Sequence, residues 1–220
     1  MRGAMRYDLV VLDFDGTLAD STEWMIGVLN HLAVRHRFRQ VDSAQIEALR
    51  GQPTREVMRE LGVSPWRLPF IAADMRKRSA ADADSIPMYP GVPEFLRDLT
   101  DAGVTVGIVS SNGEATVRRV LGECQHLIDA YACEVSLFGK QRRLGRVARK
   151  LAVAPERALY VGDETRDVHA AKAAGFASAA VSWGYNNRSA LAAARPTYLV
   201  DSWKELAAAI GHLPILRLVQ

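Results

Sequence analysis

The chain has 220 residues, with 28 Lys and Arg against 25 Asp and Glu, a formal net charge of +3, and 49% hydrophobic residues. These proportions exclude an intrinsically disordered chain, and no apolar run approaches the ~18 residues that would suggest a membrane span. Cys124 and Cys133 are too few for a disulfide framework and lack metal-ligand spacing, so both are expected as buried free thiols. The opening MRGAMRYDLVVLDFD is not a signal peptide, so the expected location is cytoplasmic.

Short apolar runs alternate with helical stretches. Tyr7 to Asp13 (YDLVVLD) is a continuous β-branched run of the kind buried on both faces of a parallel sheet. Asp20, with Glu23 three residues on, predicts a helix start, and Met25, Val28, Leu29, Leu32 and Ala33 mark its apolar face. Ile46 with Leu49, Val57 with Met58 and Leu61, and Ile71 with Ala72 and Met75 predict three more helices. No strand is predicted from Asp20 to Met88, and the Pro-rich Ile86 to Gly91 closes this stretch. Phe95, Leu96 and Leu99 predict a helix before a second strand at Val104 to Ser110. Leu144, Val147, Ala148 and Leu151 predict another helix before a third strand at Ala158 to Asp163. Strands at Ser178 to Trp183 and Thr197 to Val200 follow, with Ala-rich helix filler at 190–194 between them. The alternation predicts an α/β fold, a parallel sheet with helices on both faces, carrying an inserted all-helical segment.

Four short segments could carry chemistry, and the first three directly follow strands. In an open parallel sheet, ligands bind off the carboxyl ends of the strands. Asp13-Phe14-Asp15-Gly16-Thr17 places two carboxylates at i and i+2, a repulsive arrangement that a bound cation would relieve. A simple Asx turn ending a strand has a similar composition. Gly162-Asp163-Glu164-Thr165-Arg166-Asp167 puts Asp163 and Asp167 four apart, on one side if a helix starts there. Acidic residues also stabilise a helix start without binding anything. Taken together, these carboxylates suit a hard divalent cation such as Mg²⁺, and the lack of His and Cys argues against Zn²⁺. Ser110-Ser111-Asn112-Gly113 offers hydroxyl and N–H groups to phosphate oxygens, or equally an N-cap. Lys140, in Phe138-Gly139-Lys140, suits a phosphate, but taken alone it reads better as a surface lysine.

In this order and company the four segments resemble the motifs of the haloacid dehalogenase superfamily of aspartate-nucleophile phosphatases. The resemblance covers essentially the whole chain. Within the superfamily the stretch AAVSWGYNN at 179–187, followed by RPTYLVDSWKEL, resembles the phosphoglycolate phosphatase-like subgroup. The resemblance implies a Rossmann-like core of residues 1–19 and 90–220 and a small helical cap domain of residues 20–89. It also implies a Mg²⁺-dependent hydrolysis of a small-molecule phosphate monoester, 2-phosphoglycolate or a similar metabolite. Asp13 would be the nucleophile and Asp15 the acid and base. Mg²⁺ would be held by Asp13, the backbone carbonyl of Asp15 and Asp163, with Asp167 behind them or bound through water. Ser110, or else Ser111, would hold the phosphoryl group with Asn112 and Lys140, and Thr17 would orient the loop. Two departures stand out: Ser-Ser-Asn where relatives often have Thr-Asn, and Lys140-Gln141 where many have Lys-Pro. The cap loop Gly51-Gln52-Pro53-Thr54-Arg55 looks substrate-facing, with Arg55 a candidate for a substrate carboxylate, and Tyr185 and Asn186 are further candidates.

Other readings are weaker. A sugar-phosphate mutase of the same superfamily would keep the same motifs. A haloacid dehalogenase would lack Asp15. A non-catalytic phospho-acceptor module would leave both Asp15 and the helical insertion unexplained. Arg142, Arg143, Arg146, Arg149 and Lys150 fall on one helix opposite its apolar face, so they are read as solvated rather than as a nucleic-acid surface. No membrane partner is expected, and oligomeric state leaves no mark in the sequence.

Overall fold

The computed structural model describes residues 5–136 and 139–211. Phe138 and the outer ends of the predicted core lie outside these residues. Six strands, β1 (Leu9–Leu12), β2 (Thr105–Val109), β3 (Ala130–Ala132), β4 (Ala158–Gly162), β5 (Ala177–Val181) and β6 (Tyr198–Val200), form one sheet in the order β3-β2-β1-β4-β5-β6. Every pairing is parallel. A fully parallel sheet must be covered on both faces, and the side-chain alternation of a strand supplies both. Val10 and Leu12 of β1, with Leu159 and Val161 of β4, enter one core. Leu9, Val11, Ala158 and Tyr160 enter the other.

The helices are α1 (Thr22–His36), α2 (Ser43–Arg50), α3 (Thr54–Glu60), α4 (Leu68–Ala81), α5 (Val92–Asp101), α6 (Glu114–Leu121), α7 (Lys140–Lys150), α8 (Thr165–Ala174), α9 (Arg188–Ala193) and α10 (Trp203–Ile210). Residues of α5, α6 and α10 share the first core, and residues of α7 and α8 the second. The first four helices lie in the segment expected as a cap. They have their own apolar cluster of Val41, Leu49, Val57, Leu61 and Val63. The segment leaves and rejoins the core through a two-stranded stem. Ala19 bridges Met88, Asp20 N donates to Pro87 O at 2.8 Å, and Tyr89 N donates to Leu18 O at 2.9 Å.

Five strands stand where the sequence pattern puts them, four slightly trimmed and β5 beginning one residue early, at Ala177, and ending at Val181. The sixth, β3, was not expected. It is three residues long, at the sheet edge, and only Ala130 is fully buried, so it has no continuous apolar run to announce it. The start of α1 also differs, because Ser21 rather than Asp20 takes the N-cap position and makes no capping bond. Both cysteines are free, but only Cys124 is buried; Cys133 is partly exposed. Among the described residues, no helix is long and apolar enough to cross a membrane. Arg142, Arg146, Arg149 and Lys150 are exposed on α7, as the pattern implied, whereas Arg143 is partly buried.

Candidate active site

β1 lies between β2 and β4, at the point where the strand order reverses, so the loops leaving these three strands flank one crevice. Asp13 follows β1 directly and is 4% exposed. The chain then folds back sharply, with the N–H groups of Thr17, Leu18 and Ala19 all donating to Phe14 O. Gly16 makes this possible at φ +73, and a Cβ there would lie 2.3 Å from Asp163 Oδ2. Gly184 closes the other side, since its Cβ would fall 2.2 Å from Asp163 Cβ and 2.4 Å from Gly16 O. The two glycines let three backbone segments meet around one buried carboxylate. Thr17 Oγ1 donates to Asp163 Oδ1 at 2.9 Å, and Tyr185 N donates to Asp163 Oδ2 at 2.8 Å.

Lys140 opens α7 and is 3% exposed, so the surface-lysine reading is replaced. Its Nζ donates to Asp13 Oδ2 and, at 2.6 Å, to Asp167 Oδ1. Asp167 sits in the first turn of α8, where its other oxygen accepts from Glu164 N at 3.1 Å and completes a capping box. Burial pushes the Asp13 carboxyl above its ordinary value, and Lys140 pulls it back. Burial alone would lower the Lys140 ammonium; Asp13 and Asp167 outweigh it and hold the group charged. Asp163 is pushed well up by burial and by its acidic neighbours Glu164, Asp13 and Asp167. It accepts hydrogen bonds but has no cationic partner among the described residues. Asp13, Asp163 and Asp167 each offer an oxygen within 4.8 Å of the others.

Beyond β2, Ser110 is fully buried, and its hydroxyl accepts from Asn112 N at 2.9 Å. Ser111 and Asn112 line the crevice. Asn112 Nδ2 donates to Ser79 Oγ of α4 at 2.8 Å and lies 3.4 Å from both oxygens of Asp15. Burial raises the Asp15 carboxyl, while Ser21 and Asn112 oppose the shift. The side chain of Asp15 stands outside the three-carboxylate group. The structure thus brings Asp13, Asp15, Thr17, Ser110, Ser111, Asn112, Lys140, Asp163 and Asp167 to one place.

Arg55 is not brought there. It is exposed on α3 and is not among the residues lining the crevice. The adjoining loop instead grips the core. Arg50 donates to Tyr185 O at 2.8 Å and to Gly184 O at 3.0 Å, and Thr54 Oγ1 donates to Glu164 Oε2 at 2.9 Å. Asn186 belongs to this joint, since its Oδ1 accepts from Thr165 N and its Nδ2 donates to Arg50 O. Tyr185 does line the crevice. The cavity is about 230 Å³ and rises from Asp13 and Asp163 into apolar cap side chains such as Trp24, Met25, Ile71 and Met75. Its walls carry two arginines that the sequence reading passed over, Arg76 on α4 and Arg166 on α8. The only sign of Arg166 was its place inside the acidic segment 162–167.

The chain matches the haloacid dehalogenase-like hydrolase family over residues 10–181. It belongs to that family. It is 30% identical over 206 residues to a phosphoglycolate phosphatase of Synechococcus elongatus, covering 93% of this chain and 97% of that protein. It is 32% identical over 183 residues to the tyrosine-protein kinase PtkA of Mycobacterium tuberculosis, covering 80% of this chain and 62% of that protein. The fold superposes on a haloacid dehalogenase-like hydrolase of Streptococcus pneumoniae with a TM-score of 0.75 at 18% identity, covering 93% of this chain and 98% of that one.

The donor set of this haloacid dehalogenase-like hydrolase fits Mg²⁺. Asp13, Asp163 and Asp167 supply only hard oxygen, and Asp163 is buried with its charge uncompensated. Lys140 compensates Asp13 and Asp167, leaving Asp163 as the carboxylate that a divalent ion would neutralise.

Proposed function

We propose that this chain is a Mg²⁺-dependent phosphatase that hydrolyses a small-molecule phosphate monoester through a phosphoaspartate on Asp13. The observation that carries the reading is the buried pairing of Asp13 with Lys140 beside the uncompensated Asp163, at the floor of a cap-covered crevice. Asp13 is the nucleophile: one of its oxygens bonds to phosphorus as the ester oxygen departs. Asp15 gives a proton to that departing alkoxide. It then takes one from a water whose oxygen attacks phosphorus, releasing inorganic phosphate and freeing Asp13. Lys140, with the hydroxyl and N–H groups of residues 110–112, compensates and positions the phosphoryl oxygens. Thr17 holds Asp163 in place. Asp13, the Asp15 backbone carbonyl and Asp163, with Asp167 behind them, would hold Mg²⁺, which would supply charge neutralisation for the phosphoryl group. Residues 20–89 act as a cap domain that excludes water and selects the leaving group.

2-Phosphoglycolate is the leading substrate, by likeness to the Synechococcus elongatus protein. The test is phosphate release with Mg²⁺ from 2-phosphoglycolate, sugar phosphates and nucleotides, compared as kcat/KM, with and without EDTA. Release that depends on Mg²⁺ and is greatest for 2-phosphoglycolate is expected. Equal rates across the panel would remove that substrate while leaving the reaction. Release that persists in EDTA would overturn the metal-dependent mechanism.

A further inference from the structure

Arg166 carries more donors than the structure uses. Its Nη2 donates to Glu164 Oε1, and that carboxylate in turn accepts from Thr54 of the cap. Its Nε and Nη1 atoms are shielded from solvent and have no hydrogen-bond partner. A guanidinium is always charged and always a donor, and unmet donors out of reach of water are unfavourable. The side chain forms part of the crevice wall together with Asp13, Asp15 and Asp163. It is close enough to act electrostatically on both Asp13 and Asp15. Arg76 lines the same cavity from α4 and makes no hydrogen bond or ion pair among the described residues. The remaining cap lining near it is largely apolar, so these two cations are the features that could recognise a charged leaving group.

We propose that Arg166 is a specificity residue that binds a carboxylate carried by the substrate's leaving group, with Arg76 completing the pocket from the cap. The proposal rests on the phosphatase reading and gives it a substrate class: phosphate esters of small hydroxy acids. Glu164 ties this recognition to the cap, because it shares its two oxygens between Arg166 and Thr54. Arg55, exposed on α3, is not needed for it.

The experiment compares 2-phosphoglycolate with ethyl phosphate, which lacks the carboxylate, in wild type, Arg166→Met and Arg166→Lys. In Arg166→Met the ratio of kcat/KM for the two esters should fall at least about tenfold, mainly through KM for 2-phosphoglycolate, and Arg166→Lys should recover part of it. An unchanged ratio overturns the assignment, whether both rates fall together or neither falls. Wild-type turnover of ethyl phosphate tests the phosphatase reading separately. If neither ester is turned over, thermal stabilisation by 3-phosphonopropionate against propylphosphonate, both with Mg²⁺, still decides the point. A larger shift from the carboxylate compound that Arg166→Met abolishes upholds it, and equal shifts in wild type overturn it.

Discussion

Lys140 and Asp13 show how one residue's meaning depends on what the fold places beside it. On the sequence, a lysine after Phe138-Gly139 could be any helix-start cation. In the structure it is buried between two carboxylates 127 and 27 positions away in the chain. Replacing Asp13 by Asn keeps the shape, removes one buried charge, and leaves Lys140 with Asp167. Asp13→Asn should therefore melt close to wild type while losing turnover on the order of a thousandfold or more, checked by phosphate release alongside circular-dichroism melting. Turnover near wild type would mean that Asp13 is not the nucleophile. The acidic positions were legible because two carboxylate-rich segments each followed a strand-like run. Arg166 and Arg76 were not, because an arginine carries no signal of direction until its helix is placed against a cavity.

At the scale of elements, much of the seam between cap and core rests on main-chain acceptors. Arg50, at the end of α2, donates to the carbonyls of Gly184 and Tyr185, and Asn186 and Asn187 return hydrogen bonds to Arg50 O. The same core loop presents Tyr185 N to Asp163, so the seam and the carboxylate floor share one segment. Arg50→Ala removes two charge-assisted bonds and should cost about 1–3 kcal/mol, read as a lower urea midpoint with an unchanged slope. An unchanged midpoint would show that the remaining bonds, from the asparagines and from Thr54 to Glu164, hold the seam without it. Sequence patterns located the helices on both sides of this joint but not the joint itself. Its acceptors are backbone carbonyls, which every residue type possesses. The edge strand β3 was invisible for a related reason: Ala130-Tyr131-Ala132 pairs through its backbone, and only Ala130 of the three is fully buried.

For the whole molecule, the sheet was the most legible part, since strands buried on both faces must read as unbroken apolar runs, whereas the crevice depends on distant segments meeting. A bound metal would tie these segments together energetically. Asp13 is separated by 150 residues from Asp163 and further still from Asp167, so an ion they share favours only the folded state. Mg²⁺ at about a hundredfold excess over its dissociation constant should stabilise the fold by about 2.7 kcal/mol, seen as a rise in Tm that Asp163→Asn removes. No rise would count against a metal at this place. The stem at Ala19 and Met88 has a historical consequence. Because the inserted helices begin and end side by side, their replacement by another segment would require no rethreading of the sheet and no shift of Asp13 or Lys140. Descent can therefore exchange the roof of this crevice while its floor, with Asp13, Lys140 and Arg166, is inherited intact.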